Sequence, residues 1–474
     1  MDSKDSMILD KKLFPLSIRE ICEMLGTEYQ LSHLDEKTTV TNFALAQVAS
    51  IKSACLYIPY SEDDAFCVSA VEKGAVAILS DHVIADAPCI VVRDFETALY
   101  RLCERMWELI GIPAVIVSGS EGKTTTKRMV GAVLQTEKST AFRKENLNTF
   151  HGLVYTLQKV PCGSECLVQE VDEKRRNNTR NCSNILKPEI ALVTNIAEAH
   201  LGYYGSKEAL IESFRGITAG MDENGVVIIN RDDKDSVAAH FDRKIISVGI
   251  DDPTADCLAK NIREGRKGVA FDLCYAGETE HICLSVHGKH NVYNAMMAYV
   301  VGKLKGISTA HIKKGLHSYR NAGIRQNICR LGNTLLYIDC YNASATSVSF
   351  ALQCFDALPA GKRKKVAVLG DIAEIDGFEE DTYRRIAAAL DASSIDTLVT
   401  CGKDSEMIHS FLTRNMTHTH TRDRKELNAY LTKLKQGGGN FLFKASRIME
   451  LEKSIRTVFP YHWKWIHFRD KFHL

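Results

Sequence analysis

Ser118-Gly119-Ser120-Glu121-Gly122-Lys123-Thr124-Thr125-Thr126 follows the apolar run Ala114-Val115-Ile116-Val117 and precedes a helix-compatible run from Lys127 to Gln135. The segment therefore reads as strand, tight glycine turn and helix. Backbone N–H groups of such a turn, with the positive end of the helix behind them, make a cradle for an anion. Lys123 adds a mobile cation for the outer phosphates of a nucleotide, and Thr124 a hydroxyl for Mg²⁺. The general phosphate-loop pattern places a glycine where this chain has Val117; here the glycine is Gly119. A turn that only joins strand to helix is the plainer alternative for the segment taken alone.

The chain has 474 residues, 45% of them hydrophobic, which exceeds one ordinary core and indicates two or three domains. Charge is balanced, with 60 basic against 59 acidic residues, and this recommends neither a nucleic-acid nor a membrane-surface partner. Met1-Asp2-Ser3-Lys4-Asp5-Ser6 lacks the basic head and apolar core of a signal peptide, and no apolar run is long enough to span a bilayer. A cytoplasmic protein is the expectation. The 15 cysteines are scattered without a Cys-x-x-Cys, and they read as reduced thiols rather than disulfides or zinc ligands.

Three α/β regions are expected. Residues 1–110 mix short apolar runs (Cys55 to Ile58, Ala75 to Leu79, Cys89 to Val92) with a helical stretch from Glu96 to Ile110, and Gly111-Ile112-Pro113 is a plausible joint. Over 111–320, apolar runs recur at Leu167 to Val171, Ile190 to Ile196, Val226 to Ile229 and Ile245 to Val248, with helical stretches between, as a mostly parallel sheet with crossovers requires. Residues 258–287 alternate like an antiparallel ribbon. Over 321–474 the alternation returns at Leu335 to Asp339, Val366 to Leu369, Thr397 to Thr400 and Phe441 to Phe443, as in a separate Rossmann-like domain.

A phosphate loop that uses a divalent cation needs oxygen or imidazole ligands at neighbouring strand ends, where an open parallel sheet places its crevice. Glu170 closes one strand and His200 follows another. Taken singly, each reads as an ordinary surface carboxylate or a satisfied histidine.

The order of motifs resembles the Mur ligases, three-domain enzymes that use ATP to join an amine to a carboxylate. Gly119 to Thr125 is followed by Thr194-Asn195-Ile196-Ala197-Glu198-Ala199-His200-Leu201 with Gly205-Ser206-Lys207-Glu208, and then by Gly288-Lys289-His290-Asn291-Val292-Tyr293-Asn294-Ala295. Gly323-Ile324-Arg325, Ile338 to Ala343, Val368 to Glu374 and Lys444-Ala445-Ser446-Arg447 resemble the branch that ligates D-alanyl-D-alanine to a UDP-N-acetylmuramoyl tripeptide.

The resemblance implies a site. The loop Gly119, Ser120, Gly122, Lys123, Thr124 and Thr125 would cradle the phosphates, with Lys123 on the β/γ-phosphates. Thr124 and Glu170 would hold a first Mg²⁺ and His200 a second. Asn195, His290, Asn291 and Asn294 would surround the adenine, and Arg325 and Asp339 would close onto ribose and phosphates. Tyr341, Asn342, Lys444, Ser446 and Arg447 would lie on the amine side, although Asn291 also reads as a helix cap and Tyr341 as core. The partners implied are a small-molecule carboxylate and an amino acid or dipeptide, handled by a monomer. The implied chemistry is phosphoryl transfer to the carboxylate and capture of the acyl phosphate by the amine, with domain closure excluding water.

Three stretches depart from the family pattern. Phe214 stands where the family has a lysine that becomes a carbamate and helps hold the second metal. Val40 to Leu45 and Ser61 to Phe66 lack the arginine and glycine turn with which the family reads its uridine diphosphate sugar. Asp172-Glu173-Lys174-Arg175-Arg176-Asn177-Asn178 replaces a glycine-rich entry to the next helix, and the expectation for it is a solvated loop. The expected function is an ATP-dependent amide ligase with a non-standard carboxylate. The alternatives are the cell-wall pentapeptide reaction itself and a nucleotide-binding pseudoenzyme.

Overall fold

A computed structural model of the chain describes residues 13–45, 51, 53–59, 63–143, 147–173, 177–197, 204–265, 267–321, 323–358 and 363–472. Three large sheets organise these residues, beside a two-stranded antiparallel pair of Leu16–Ser17 with Thr39–Val40. The first runs in the order Tyr29–Ser32, Cys89–Val92, Ala75–Ser80, Cys55–Ile58, Asn42–Leu45, and is parallel except where Tyr29–Ser32 joins it.

The central sheet begins with the ribbon Glu278–Cys283, Gly268–Tyr275, Cys257–Gly265 and continues through Lys244–Gly249, Val226–Asn230, Ile190–Val193, Ala114–Ser118, Cys166–Glu170 and Thr140–Phe142. The ribbon is antiparallel and everything beyond it is parallel. Ala114–Ser118, Cys166–Glu170 and Ile190–Val193 are buried along their whole length, as continuous apolar strands covered on both faces must be. Their C-terminal ends carry Ser118, Glu170 and Thr194 to one edge, where the phosphate loop starts.

The third sheet has the order Asn327–Leu331, Thr334–Ile338, Gly439–Lys444, Lys365–Gly370, Thr397–Cys401, Thr417–Thr421, parallel after its first antiparallel pair. The architecture is the α/β one expected, with a mostly parallel central sheet and a Rossmann-like sheet after it.

Helices cover the faces for local reasons. Phe95–Ile110 is capped by Asp94, whose carboxylate accepts from the Thr97 N–H at 3.0 Å, and it ends on Gly111 in the left-handed region at φ +61°. Ala98, Leu99, Leu102, Cys103 and Met106 form its buried stripe, and Trp107 donates to the Leu186 carbonyl at 2.9 Å. This helix joins the apolar core beneath the first sheet to one face of the central sheet; Phe214 is fully buried in the same core. Among the described residues, no helix is long and apolar enough to cross a membrane.

Candidate active site

The helix Lys123–Leu134 starts directly on Gly122, which sits at φ +81°, and no side chain caps its first turn. Its leading N–H groups are thus left facing the loop, as an anion site requires. Gly119, at φ +131°, brings the loop against the next strand so closely that a Cβ there would lie 1.9 Å from Thr194 Oγ1. Asn195 fixes the loop from that side: its Oδ1 accepts from the Glu121 N–H and its Nδ2 donates to the Glu121 carbonyl, both at 3.1 Å. The Ser120 hydroxyl exchanges bonds with the Ala197 backbone at 2.9 and 3.2 Å. The Asn195 amide is committed to the loop, a use that the adenine expectation did not include.

Behind the loop lies a buried ionic cluster. Thr124 Oγ1 donates to Glu170 Oε2 at 3.0 Å, Lys127 Nζ lies 3.0 Å from the same oxygen, and Asn148 Nδ2 donates to Glu170 Oε1 at 3.3 Å. Lys123 Nζ is 2.9 Å from Glu173 Oε2 and 3.3 Å from Asp172 Oδ1, and it donates to the Gly119 carbonyl. Burial works against the Lys123 charge, but Glu173, Asp172 and Glu170 hold its pKa above the ordinary lysine value. Burial works to raise the Glu173 carboxyl above the ordinary carboxylate range, while the Lys123 ammonium beside it favours the ionised form. Asp172 and Glu173 are therefore not part of a solvated loop: Glu173 is 0% exposed, a correction to the sequence expectation that a run of charges ordinarily stays in water. Lys174, Arg175 and Arg176 lie outside the described residues, as do His200, Ser61 and Glu62.

In front of the loop, a cleft of roughly 530 Å³ opens between the central and third sheets. Gly122, Thr124, Thr125, Asn195, His290, Asn294, Arg325, Asp339, Tyr341, Asn342 and Lys444 line it, so most expected site residues converge there. Asn294 Oδ1 accepts from Thr126 Oγ1 at 3.0 Å and its Nδ2 donates to Asn291 Oδ1 at 3.2 Å. Asn291 is inside its helix, which begins at Lys289 after Gly288, and therefore does not cap it. Its Nδ2 donates to the His287 carbonyl at 2.6 Å. Burial lowers the His290 pKa, and its Nε2 is 2.8 Å from Gln326 Oε1.

From the third sheet, Lys444 Nζ donates to Asp339 Oδ2 at 2.9 Å and to the Asn342 carbonyl at 2.8 Å. The Arg325 guanidinium stacks 3.6 Å from the centre of the Tyr341 ring, which places Tyr341 at the cleft wall rather than in the core. Ser446 and Arg447 do not line the cleft. The Ser446 hydroxyl accepts from the Ala373 N–H at 2.8 Å, and Arg447 turns outward to pair with Glu452.

Sequence reasoning missed Glu121, Lys127, Glu173, Gln326 and Ser344. Gln326 had no local signal beyond following Arg325; it adopts a left-handed φ of +49° and ties His290 to the Asp339 carboxylate through its own N–H at 3.2 Å. Among the described residues, no group of three or more His, Cys, Asp or Glu side chains is arranged to hold a metal. Thr124 Oγ1 and Glu170 Oε2 nonetheless offer two hard oxygens 3.0 Å apart, a separation that a small divalent cation bridges with metal–oxygen distances of about 2.1 Å.

The Mur ligase middle domain matches residues 117–302, and the Mur ligase glutamate ligase domain matches 325–447. The UDP-N-acetylmuramoyl-tripeptide–D-alanyl-D-alanine ligase of Bacillus subtilis (strain 168) is 30% identical over 456 residues, covering 93% of this chain and 98% of that protein. The chain belongs to the Mur ligase family. Its members are ATP-dependent ligases that form C–N bonds, and this chain is one of them. The Escherichia coli (strain K12) ligase of the same name is 28% identical and covers 94% of this chain. In fold, a crystal structure of MurF from Acinetobacter baumannii superposes with a TM-score of 0.84 at 24% identity, covering 95% of this chain and 100% of the other. MurF ligase from Thermotoga maritima in complex with ADP gives 0.76 at 21% identity, covering 90% and 98%.

Proposed function

We propose that this Mur ligase joins the amine of D-alanyl-D-alanine to the terminal carboxylate of a UDP-N-acetylmuramoyl tripeptide. Residues 1–110 serve the carboxylate substrate, 111–320 the ATP and 321–474 the amine. The observation that carries the reading is the match to the Bacillus subtilis enzyme along 98% of its length, which takes in the region before the phosphate loop as well as the catalytic centre.

The loop N–H groups and Lys123 neutralise the outer phosphates of ATP, so that an anionic carboxylate approaches the γ-phosphate along the transfer axis. Thr124 and Glu170 would hold Mg²⁺, which supplies further charge neutralisation there. His290 and Asn294 face the base, and Asp339 with Arg325 reach the nucleotide from the third sheet. Lys444, Tyr341 and Asn342 form the wall past which the amine arrives. The acyl phosphate formed on the substrate is short-lived in water, and the cleft between the two sheets shields it.

A second reading keeps the chemistry and changes the acid. The Gln158 amide takes both the N–H and the carbonyl of Phe43, at 2.9 and 2.8 Å, within the Val40 to Leu45 stretch that departs from the family pattern. Those backbone groups are thereby withheld from a uridine, which favours a different carboxylate at the pocket formed by Thr41, Ser53, Tyr155 and Lys159.

Pure protein with ATP, MgCl₂, D-alanyl-D-alanine and the UDP-muramoyl tripeptide separates the two readings. Phosphate release matched one-to-one by pentapeptide, and abolished in Lys123→Ala, supports the first. Silence with this pair, together with a hydroxamate trapped from another carboxylate, replaces it with the second.

A further inference from the structure

Five ionisable side chains meet behind the phosphate loop: the ammonium groups of Lys123 and Lys127 and the carboxyl groups of Glu170, Asp172 and Glu173. They sort into two sets. Lys127 stands with Glu170, while Lys123, the residue that must meet the terminal phosphates, stands between Asp172 and Glu173. Its remaining contacts are the Gly119 carbonyl and the Ser120 carbonyl, the latter at 3.4 Å. An ammonium has three N–H donors, and all of them face acceptors of the protein itself.

Glu173 occupies a built position. The side chain is 0% exposed, and its backbone carbonyl accepts from the Tyr204 hydroxyl, whose oxygen is 2.8 Å from Ser213 Oγ. The backbone that carries the carboxylate toward Lys123 is therefore held by the strand end on one side and by the segment carrying Tyr204 and Ser213 on the other. A phosphate oxygen that binds Lys123 must displace one of these contacts, and it approaches against the negative charge of the carboxylates that hold the ammonium.

We propose that Glu173, supported by Asp172, gates Lys123: the ammonium is shared between the protein's carboxylates and the nucleotide's terminal phosphates, so that nucleotide entry requires Glu173 to let go. Glu173 is then a residue that sets nucleotide affinity, and its release loosens the backbone at the end of the strand Cys166–Glu170. The proposal rests on the reading that a nucleoside triphosphate occupies the loop.

The test is binding of a nonhydrolysable ATP analogue with MgCl₂ to the full chain, by calorimetry, with no carboxylate or amine present. Glu173→Gln keeps the side-chain shape and removes the charge, and it is expected to tighten binding about tenfold. Asp172→Asn, at the longer contact, is expected to tighten it about threefold. Glu108→Gln, on the solvent face of the helix Phe95–Ile110, changes net charge equally and is expected to leave affinity unchanged. In the wild-type chain, amide hydrogen exchange over residues 170–173 should rise on adding the analogue, and in Glu173→Gln that rise should shrink.

Unchanged or weaker binding by both Glu173→Gln and Asp172→Asn overturns the gate while leaving the nucleotide reading standing. Failure of the wild-type chain to bind the analogue overturns that reading and the gate with it. If Glu173→Gln proves unfolded, Asp172→Asn and the wild-type exchange decide the matter.

Discussion

The Ser344 hydroxyl donates to Glu121 Oε1 at 2.7 Å, so the residue that caps the helix Ala345–Ala357 of the third sheet also grips the phosphate loop of the central one. Glu121 is an acidic residue in a loop built for anions, and its carboxylate points to the positive end of that helix instead of to the cradle. Removing it should loosen closure of the cleft without touching the phosphate contacts. Glu121→Ala is expected to lower kcat/KM about tenfold, chiefly through kcat, with nucleotide affinity changed less than threefold. Ser344→Ala should show the same kinetic loss and, because it also loses the cap, about 1 kcal/mol of stability. Steady-state phosphate release and thermal unfolding check both, and a rise in the KM for ATP as the main effect would contradict the assignment.

The loop itself has no room for a side chain at Gly119. A Cβ there meets Thr194 Oγ1 at 1.9 Å and the Thr194 backbone nitrogen at 2.9 Å, with φ at +131°. Gly163, also at positive φ (+76°), has nothing within 4 Å of an added Cβ. Gly119→Ala is expected to cost about 3 kcal/mol or more and to abolish nucleotide binding, whereas Gly163→Ala should cost about 1 kcal/mol and leave binding intact. Equal losses in the two variants would show that backbone conformation, and not the close approach to Thr194, governs the loop.

Phe214 poses the opposite question, because a large apolar group sits where the family resemblance implies a modified lysine. It is 0% exposed, in the same core as Leu210, Ile217 and Met221. Phe214→Ala is therefore expected to destabilise the chain by about 3–5 kcal/mol. Phe214→Lys should be at least as damaging, since it buries an ammonium without a partner. Denaturant unfolding measures both. A Phe214→Lys variant as stable as the wild type would mean that the position opens to the cleft, and that a carbamate could form there.

What the sequence disclosed and what it hid divide along physical lines. Ala114–Ser118, Cys166–Glu170 and Ile190–Val193 are covered on both faces, so they must be apolar throughout and stand out as runs. The phosphate loop shows because Gly119 and Gly122 sit at positive φ where an added Cβ would meet Thr194 and Asn294. Thr140–Phe142 and Thr417–Thr421 escaped notice because they are short strands at sheet edges, the second of them the polar alternation Thr-His-Thr-His-Thr. Asn195, His290 and Asn294 carry family motifs and were legible by resemblance. Glu173 was not, because a charged stretch looks solvated until the fold brings Lys123 from 50 residues away to meet it. Gln326 and Ser344 reach His290 and Glu121 across the gap between two sheets, a relationship that no local pattern encodes.

The edge strand Thr417–Thr421 leads to a pH effect whose sign follows from its surroundings. Thr400 Oγ1 lies 2.9 Å from His409 Nε2 and 3.0 Å from His420 Nδ1, while His409 Nδ1 is 3.1 Å from His418 Nδ1. Burial first, then His418 and His420, pull the His409 pKa down to about 4; Glu406 pulls the other way but does not prevail. His409 is neutral in the fold and charges near its ordinary value of 6.5 once unfolded, so the unfolded chain binds the extra proton between these values. Stability from this group is complete above about pH 6.5 and falls progressively as the pH drops to about 4. With His409 only partly screened from solvent, the loss at pH 5 is expected to be about 1 kcal/mol. His409→Gln, which keeps a hydrogen-bonding group but does not titrate, should flatten the decline. Thermal unfolding of the two proteins at pH 7 and pH 5 supplies the measurement: parallel shifts in Tm would remove His409 as the cause, and a smaller shift in the variant would establish it.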